Sequence, residues 1–579
     1  MMAAIRAAPL TTMRLARSVQ QRLLRDFLLY ACACLAVSGC AKEQAQDSEQ
    51  ADSPRDDRPN ILLIVADDLG FTDLGVFGGE IDTPNLDQLA ENGMLLTSFY
   101  AAPNCSPTRA MLLSGTDSHI AGLGNMFEEL APNQEGRPGY EGYLNQRVAN
   151  LAELLQDAGY HTYMTGKWHL GLEEDQSPAA RGFEKSYVLL QGGGGHFDHL
   201  GLHTLGKKAL YREDGKLVEL PEDFYSSRFY ARRLIEYIDT DKEGDRPFFG
   251  YLAFSAPHWP LQAPDESIAK YHGRYDAGYD ALHAQRLQRA QELGVIPKDV
   301  DAFPRLPDER PWESLDDEER KVEARNMEVF AAMVDDLDRY VGEVIDYLKS
   351  TGRYENTFVF FMSDNGAEGH YLHEGWPELE AWIPECCDNS YENMGQADSY
   401  IYYGPNWARA GVGPYRMYKG FVSEGGLHVP AFAHYPKSVA TGRINDSFLT
   451  VMDVMPTLLE LAGTAHPGSP YKGREVAPLS GKSMLSLLSG KTKTVHGGDF
   501  VAGWELFGKR AIRKGDWKLL WLPPPFGTDD WQLYDLAADP AEMTDLSERQ
   551  PDTREELIGL WQQYVTDHNI VLPDRVSGY

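Results

Sequence analysis

Ile61-Leu62-Leu63-Ile64-Val65-Ala66, followed at once by Asp67-Asp68-Leu69-Gly70, decides the fold. Six apolar residues in a row, without polar alternation, suit a strand covered on both faces, as in a parallel sheet between helices. A second run of this kind, Thr357-Phe358-Val359-Phe360-Phe361-Met362, ends in Ser363-Asp364-Asn365-Gly366. Ligands of open α/β sheets collect beyond the carboxyl ends of the strands. Two neighbouring strands ending in this way would bring Asp67, Asp68, Asp364 and Asn365 around one point. Three carboxylates and an amide oxygen suit Ca2+ or Mg2+, and offer no thiolate or imidazole to draw zinc. Each pair alone also suits the start of a solvated turn. Both after buried strands, together with a cysteine segment described below, predict a metal site.

Three further segments carry positive charge and proton donors. His161-Thr162-Tyr163-Met164-Thr165-Gly166 reads as a strand leading into Lys167-Trp168-His169-Leu170-Gly171. Phe248-Phe249-Gly250-Tyr251-Leu252-Ala253-Phe254 is another, ending in Ser255-Ala256-Pro257-His258-Trp259-Pro260. Arg416-Met417-Tyr418-Lys419-Gly420 lies in a turn-rich stretch before Ser423-Glu424-Gly425-Gly426. Singly, a lysine is usually solvated and a histidine beside tryptophan usually packs. Their joint presence at predicted strand ends and loops points to a site.

Strand-like runs interleave with helical ones. Thr83-Pro84 starts a helix ending near Gly93, residues 148–157 form one ending at Gly159, and a long one runs over 315–348. The alternation predicts an α/β fold, a large mixed, mostly parallel sheet sandwiched by helices. Near Leu479 the character changes. Residues 500–521 and 531–535 read as short strands and 553–567 as a final helix, giving a smaller C-terminal antiparallel sheet plus helix. Residues 192–195, four glycines, read as a flexible loop; His196 and His199 after it read as solvated, with a place in the pocket wall as the alternative, and the aromatic stretch 400–407 suits a substrate mouth or the core.

Cys105-Ser106-Pro107-Thr108-Arg109 precedes the apolar run Ala110-Met111-Leu112-Leu113. Pro107 fits the first turn of a helix. Cys105 then sits at the helix entrance, where free N–H groups and the positive dipole end favour an anion; a buried structural thiol is the plainer alternative. The pattern Cys-x-Pro-x-Arg resembles the maturation signature of type I sulfatases, in which the cysteine is oxidised to formylglycine. Arg58-Pro59-Asn60, the segment 166–171, the segment 255–260, Ser363-Asp364-Asn365-Gly366 and the segment 510–518 extend the likeness. The chain therefore resembles the formylglycine-dependent bacterial arylsulfatases of the alkaline phosphatase superfamily over nearly all of its expected exported length.

The resemblance implies a sulfuric ester hydrolase that cleaves sulfate monoesters to an alcohol or phenol and inorganic sulfate. Cys105 would be matured by a formylglycine-generating enzyme, and one hydroxyl of the hydrated aldehyde would attack sulfur, with Asp364 as its base. Asp67, Asp68, Asp364 and Asn365, with the group at Cys105, would hold Ca2+, Mg2+ being the second choice. Lys167, His258 and Lys419 would cradle the negative charge, and His258 with Lys419 would protonate the departing oxygen. His169 would deprotonate the second hydroxyl so that sulfate leaves, and Arg109 would hold the diol beside the metal ligands. Two other readings share these residues: a phosphonate monoester or phosphodiester hydrolase on the same fold, and a non-catalytic lipoprotein that binds sulfated glycans if Cys105 is not matured.

The amino terminus suggests an address. Arg6, Arg14, Arg17, Arg22 and Arg25 form a basic leader before an apolar stretch at 27–37, too short to span a bilayer and suited to a signal-peptide core. Val37-Ser38-Gly39-Cys40 resembles a lipoprotein box, with Cys40 as the lipidated residue. Ala41 after it favours the periplasmic face of the outer membrane; a soluble periplasmic product is the alternative, and Met13 is a second possible start. The expected division is a signal peptide at 1–39, a disordered acidic tether at 40–58, a catalytic domain at 59–480 and a C-terminal subdomain at 481–579. The net charge of −33 opposes nucleic acid and anionic lipid headgroups as partners. Adjacent Cys386 and Cys387 suit either a vicinal disulfide or two thiols, and free or structural thiols are the expectation.

Overall fold

Asn60–Ala66 is one of five parallel strands, with Thr357–Ser363 on one side and Phe248–Ala253, His161–Lys167 and Lys185–Leu189 in turn on the other. The computed structural model describes residues 57–202, 208–306, 309–371, 376–575, 577 and 579; the expected leader, Cys40 and the tether up to residue 56 lie outside them. Beyond Thr357–Ser363 the sheet continues through antiparallel His428–His434 to Met94–Tyr100, which also pairs with Arg443–Asn445 and Leu449–Thr450. Antiparallel Tyr211–Glu213 and Lys216–Val218 close the other edge. Among the described residues the sheet has eleven strands.

The two-residue period of a strand divides the first apolar run between two cores. Leu62 and Ile64 face the core that holds the long helix Asp317–Ser350 and the helix Ser226–Thr240. Ile61, Leu63 and Val65 face the core built on the helices Cys105–Ser114, Leu151–Asp157 and Val454–Leu461. Covered on both sides, the strand needs no polar face.

Capping residues account for the helix bounds. Asp316 accepts the N–H groups of Glu318 and Glu319, and Glu319 accepts that of Asp316, so the long helix starts at Asp317 rather than 315. Asn150 and Glu153 form the same reciprocal cap, which moves the start of the helix expected at 148–157 to Leu151.

The smaller sheet is an antiparallel meander of Val501–Leu506, Lys509–Lys514, Trp517–Trp521 and Trp531–Asp535. Leu557 and Trp561 of the helix Pro551–His568 pack on its Ile512, Leu519 and Leu533. A buried ion pair joins it to the turn that leads into His428–His434: Lys518 Nζ lies 2.7 Å from Glu424, and also 2.7 Å from Glu542 of the C-terminal part itself. His119 Nδ1 is 2.9 Å from Asp117 and its Nε2 3.3 Å from Glu505 of the small sheet, while Tyr564 of the last helix donates to Asp117.

This second joint predicts a pH dependence. Burial opposes the charge on His119, but its hydrogen bonds to Asp117 and Glu505 push its pKa up to about 9. A group raised in the folded state stabilises fully below its unfolded pKa, about 6.5, and the gain is lost as pH rises through the folded value. The melting temperature should therefore fall between pH 6.5 and pH 9–10, by a stability loss on the order of 2–3 kcal/mol. Thermal melts of the wild type and His119→Gln check this: the variant should lack most of that slope, and equal slopes would refute the assignment.

Two expectations need correction. Cys386 and Cys387 are bonded to each other. The helix Pro377–Cys386 ends between them and Cys387 is extended, which turns the neighbouring side chains together. His196 and His199 are not solvated. His196 is buried between Ser226 Oγ (2.6 Å) and the carbonyl of His258 (3.0 Å), and half-buried His199 contacts the carbonyl of Ala209 and Glu219. The glycine segment before them is tied by the Gly195 N–H to the Leu200 carbonyl, which leaves no open loop for either ring. No helix among the described residues is long and apolar enough to cross a membrane.

Candidate active site

Strand register gathers the site. Ala66 pairs with Ser363 and Val65 with Ala253, and Gly166 pairs with the same Ala253. The strands thus end level, and Asp67, Asp364, Lys167 and the 255–260 turn emerge together at their carboxyl ends. Asp68 and His169 both take positive φ, 68° and 55°. Backbone strain of this kind is commonly held at functional sites.

Charges meet in a buried ring. Lys167 Nζ donates to both oxygens of Asp67 at 2.8 and 2.7 Å. Lys419 Nζ donates to Asp68 at 2.9 Å and lies 3.0 Å from Glu368. Arg109 presents Nε and Nη2 to one oxygen of Asp364 at 2.9 and 2.7 Å, and Nη1 to the Lys167 carbonyl. All six of these acidic and basic groups around the strand ends, and Glu368, are buried.

Cys105 opens its helix at this point, with Asn104 as the cap: its Oδ1 accepts the Cys105 N–H at 2.8 Å. Pro107 lies in the first turn as predicted. Burial pushes the Cys105 thiol well above its ordinary pKa, which makes the unmodified thiol a poor nucleophile. His169 Nε2 faces Glu128 at 2.9 Å, and its Nδ1 is buried without a protein partner. Both His169 and Cys105 line one small cavity of about 40 Å³. His258 Nδ1 donates to the Trp259 carbonyl, which directs Nε2 to within 3.6 Å of Asp68. Burial, with Lys419 and Lys167 nearby, holds the His258 imidazole well below its ordinary range.

The residues fit a hard divalent cation. Ligand atoms of Asp67, Asp68, Cys105 and His258 lie within 4.8 Å of one another. Asn365 donates its amide N–H to Asp68 at 2.7 Å, while its Oδ1 is buried with no protein partner, an acceptor left over for a cation. Burial raises Asp67 to about 8 and Asp68 to about 6, despite the lysine on each. Burial also opposes ionisation of Asp364, yet Arg109 and Lys167 hold it below its ordinary value. With all of them ionised, as ligation of a cation requires, four carboxylates (Asp67, Asp68, Asp364, Glu368) against three cationic side chains (Arg109, Lys167, Lys419) leave one negative charge. A divalent cation would reverse that sign and suit a monoanionic ligand.

The structure therefore brings together Asp67, Asp68, Cys105, Arg109, Lys167, His169, His258, Asp364, Asn365 and Lys419. Tyr400 lines the cavity, whereas Trp407 belongs to the core. Sequence reasoning missed Glu368, Glu128, Gly192 and Gly193. Glu368 lies four residues past Asp364 and was within reach of a longer reading of that segment. The two glycines make room for the histidines: a Cβ on Gly192 would lie 2.7 Å from His169 Cε1, and one on Gly193 3.0 Å from His258 Cε1.

Residues 59–464 match the family described as Sulfatase, and residues 413–565 match the family described as N-sulphoglucosamine sulphohydrolase, C-terminal. An uncharacterized sulfatase of Schizosaccharomyces pombe is 47% identical over 539 residues, covering 90% of this chain and 96% of its own. An arylsulfatase of Klebsiella aerogenes is 40% identical over 451 residues, 77% of this chain and 95% of its own. Among solved structures, that of Ps i-CgsB in complex with k-i-k-neocarrahexaose is similar at 25% identity and a TM-score of 0.63, with 90% of this chain and 95% of that one covered.

Proposed function

The chain belongs to the sulfatase family and is a sulfatase; we propose that it is an arylsulfatase that works through formylglycine matured from Cys105 and a bound Ca2+. The observation that carries this reading is the placement of Cys105 at a buried helix entrance, in the same small cluster as Asp67, Asp68 and His258. The 40% identity to an arylsulfatase supports the reaction class.

Asp67, Asp68, Asp364 and Asn365 would hold Ca2+, which supplies Lewis-acid polarisation of sulfate oxygens. Formylglycine, when hydrated, supplies one hydroxyl to attack sulfur and a second whose deprotonation expels sulfate. Asp364 accepts the proton of the attacking hydroxyl, and Arg109 keeps that carboxylate ionised and aimed. Lys167 and Lys419 hold the sulfate oxygens through donors that are already in place, typically the largest catalytic term, and His258 Nε2 joins them once it takes up a proton beside the bound anion. Lys419, with His258, delivers a proton to the departing oxygen. Glu128 accepts from His169 Nε2, which leaves the buried, unpartnered Nδ1 to take the proton of the second hydroxyl. The lipoprotein-like leader supports an envelope location reached by a lipid anchor at Cys40, with a formylglycine-generating enzyme as maturation partner.

Mass spectrometry across Cys105, on protein from its own host, tests the reading together with sulfate release from 4-nitrophenyl sulfate. Formylglycine or its hydrate with sulfate release is expected; unmodified Cys105 without turnover would refute it, and faster cleavage of the matched phosphonate or phosphodiester would move the assignment to that chemistry. Dialysis against a Ca2+ chelator should lower turnover at least about tenfold and lower the melting temperature. Restored Ca2+ at about 100 times its dissociation constant should return about 2.7 kcal/mol of stability. Full activity after exhaustive chelation would exclude the cation from the reaction.

A further inference from the structure

The cavity over Cys105 is walled on its outer side by a segment far away in sequence. After the helix Pro551–His568, Asn569 turns the chain at φ 56°, and the following residues run along the segment 129–140. The Val571 carbonyl accepts from Gln134 at 2.8 Å and the Leu572 carbonyl from Asn133 at 2.8 Å. Glu129 then holds three groups at once. Its Oε2 takes Arg575 at 3.2 Å and Ser577 Oγ at 3.0 Å, and its Oε1 takes Trp376 Nε1 at 3.1 Å. Two residues on, Tyr579 lies in the cavity that holds Cys105.

Its ring is held by three aromatic neighbours. It lies parallel to Phe507 at 5.1 Å and edge-on to Trp376 at 4.8 Å and His370 at 5.0 Å. Lys509 Nζ donates to its carbonyl at 2.9 Å. Lys419 Nζ, the amine assigned to the departing oxygen, is 5.6 Å from the ring centroid. A leaving group attached to that oxygen must therefore meet Tyr579 and Trp376. The remaining wall is mostly apolar, with Leu202 and Leu379, and the described lining contains two carboxylates, Glu128 and Glu129, but no lysine or arginine. Such a wall offers stacking and desolvation to a flat ring and repulsion to further anionic groups.

We propose that Tyr579, paired with Trp376 by way of Glu129, is a specificity-determining residue that seats a flat, uncharged leaving group and disfavours anionic sugars. The proposal rests on the arylsulfatase reading for the place of the leaving group. A flat leaving group is unlike k-i-k-neocarrahexaose, the ligand in the Ps i-CgsB structure.

The test separates the ring from the sulfate. Full-length wild type, Tyr579→Ala, Tyr579→Phe and Trp376→Ala are titrated with 4-nitrophenol and, separately, with inorganic sulfate, and KM and kcat are measured on 4-nitrophenyl sulfate. Tyr579→Ala and Trp376→Ala should each weaken 4-nitrophenol binding about tenfold and raise KM by a similar factor. Sulfate affinity should stay within about twofold and Tyr579→Phe should keep wild-type ring binding, since the stacking face is retained. Unchanged phenol affinity in both alanine variants overturns the proposal. So does an equal loss of phenol and sulfate affinity, which marks the segment as merely structural, or a sulfated disaccharide that competes as well as the phenol in the wild type. Ring binding that behaves as expected without turnover of any sulfate ester would instead refute the arylsulfatase reading and leave the wall assigned.

Discussion

Cys105→Ser is expected to lower turnover of 4-nitrophenyl sulfate by about 10⁴–10⁶-fold, the range seen when a catalytic nucleophile is removed. The expected product is a chain that carries one sulfate group. A serine hydroxyl occupies the same helix entrance, between Asn104 and the Asp67–Asp68 pair, and can still meet the sulfur atom. It has no second hydroxyl for His169 to deprotonate, so the ester formed has no internal route to release. Intact mass after incubation with substrate reads this directly: one added sulfate on the variant, none on the wild type. A Cys105→Ser protein that turns over at more than about 1% of the wild-type rate would sink the two-hydroxyl mechanism, since single removal of a nucleophile costs far more.

Arg109→Ala should cost both stability and rate. The guanidinium and Asp364 are wholly buried, and Arg109 makes two contacts to that carboxylate and one to the Lys167 carbonyl. Removing one partner of a buried pair leaves an uncompensated charge, a loss of about 3–5 kcal/mol. Loss of the group that aims Asp364 should lower kcat by about 10²–10³-fold. Arg109→Lys should recover part of the stability but less of the rate, because an ammonium cannot reproduce the planar two-point contact. Urea denaturation and steady-state kinetics on the same preparations measure both. A stability change below about 1 kcal/mol for Arg109→Ala would show that Asp364 finds another partner, and would remove the physical basis for Arg109's role.

The acidic pairs were legible because their signal is local. An unbroken apolar run followed by Asp-Asp or Asp-Asn reports a doubly covered strand and its carboxyl end, and the register Ala66 to Ser363 brings the two ends level. Cys105 and Arg109 were legible for the same reason, as one helical turn with Pro107 inside it. The smaller sheet was visible as short strands with glycine turns. Helix starts were less so, because a reciprocal cap at Asn150 or Asp316 shifts a boundary by two or three residues without changing the apolar pattern.

Glu128 and Tyr579 carry no such local mark. Glu128 sits in a short 3-10 turn, Phe127–Glu129, in which Phe127 is exposed, and nothing in that stretch distinguishes it from a solvated acid. It acquires a partner only because His169 is turned towards it over Gly192. His196 looked solvated beside four glycines, yet it ended beneath His258 once Ser226 arrived as a partner from another element. The Cys386–Cys387 bond likewise depended on where the helix before it stopped.

The sequence by itself thus determined the layered sheet, the strand ends that carry the carboxylates and the helix that presents Cys105, because strand period, proline and capping chemistry act over a few residues. Only the tertiary structure decided which lysine faces which aspartate, how Glu128 orients His169, and that Tyr579 closes the cavity. Those contacts join residues 41 to hundreds of positions apart, and their pairing is set by sheet register and core packing rather than by any local preference.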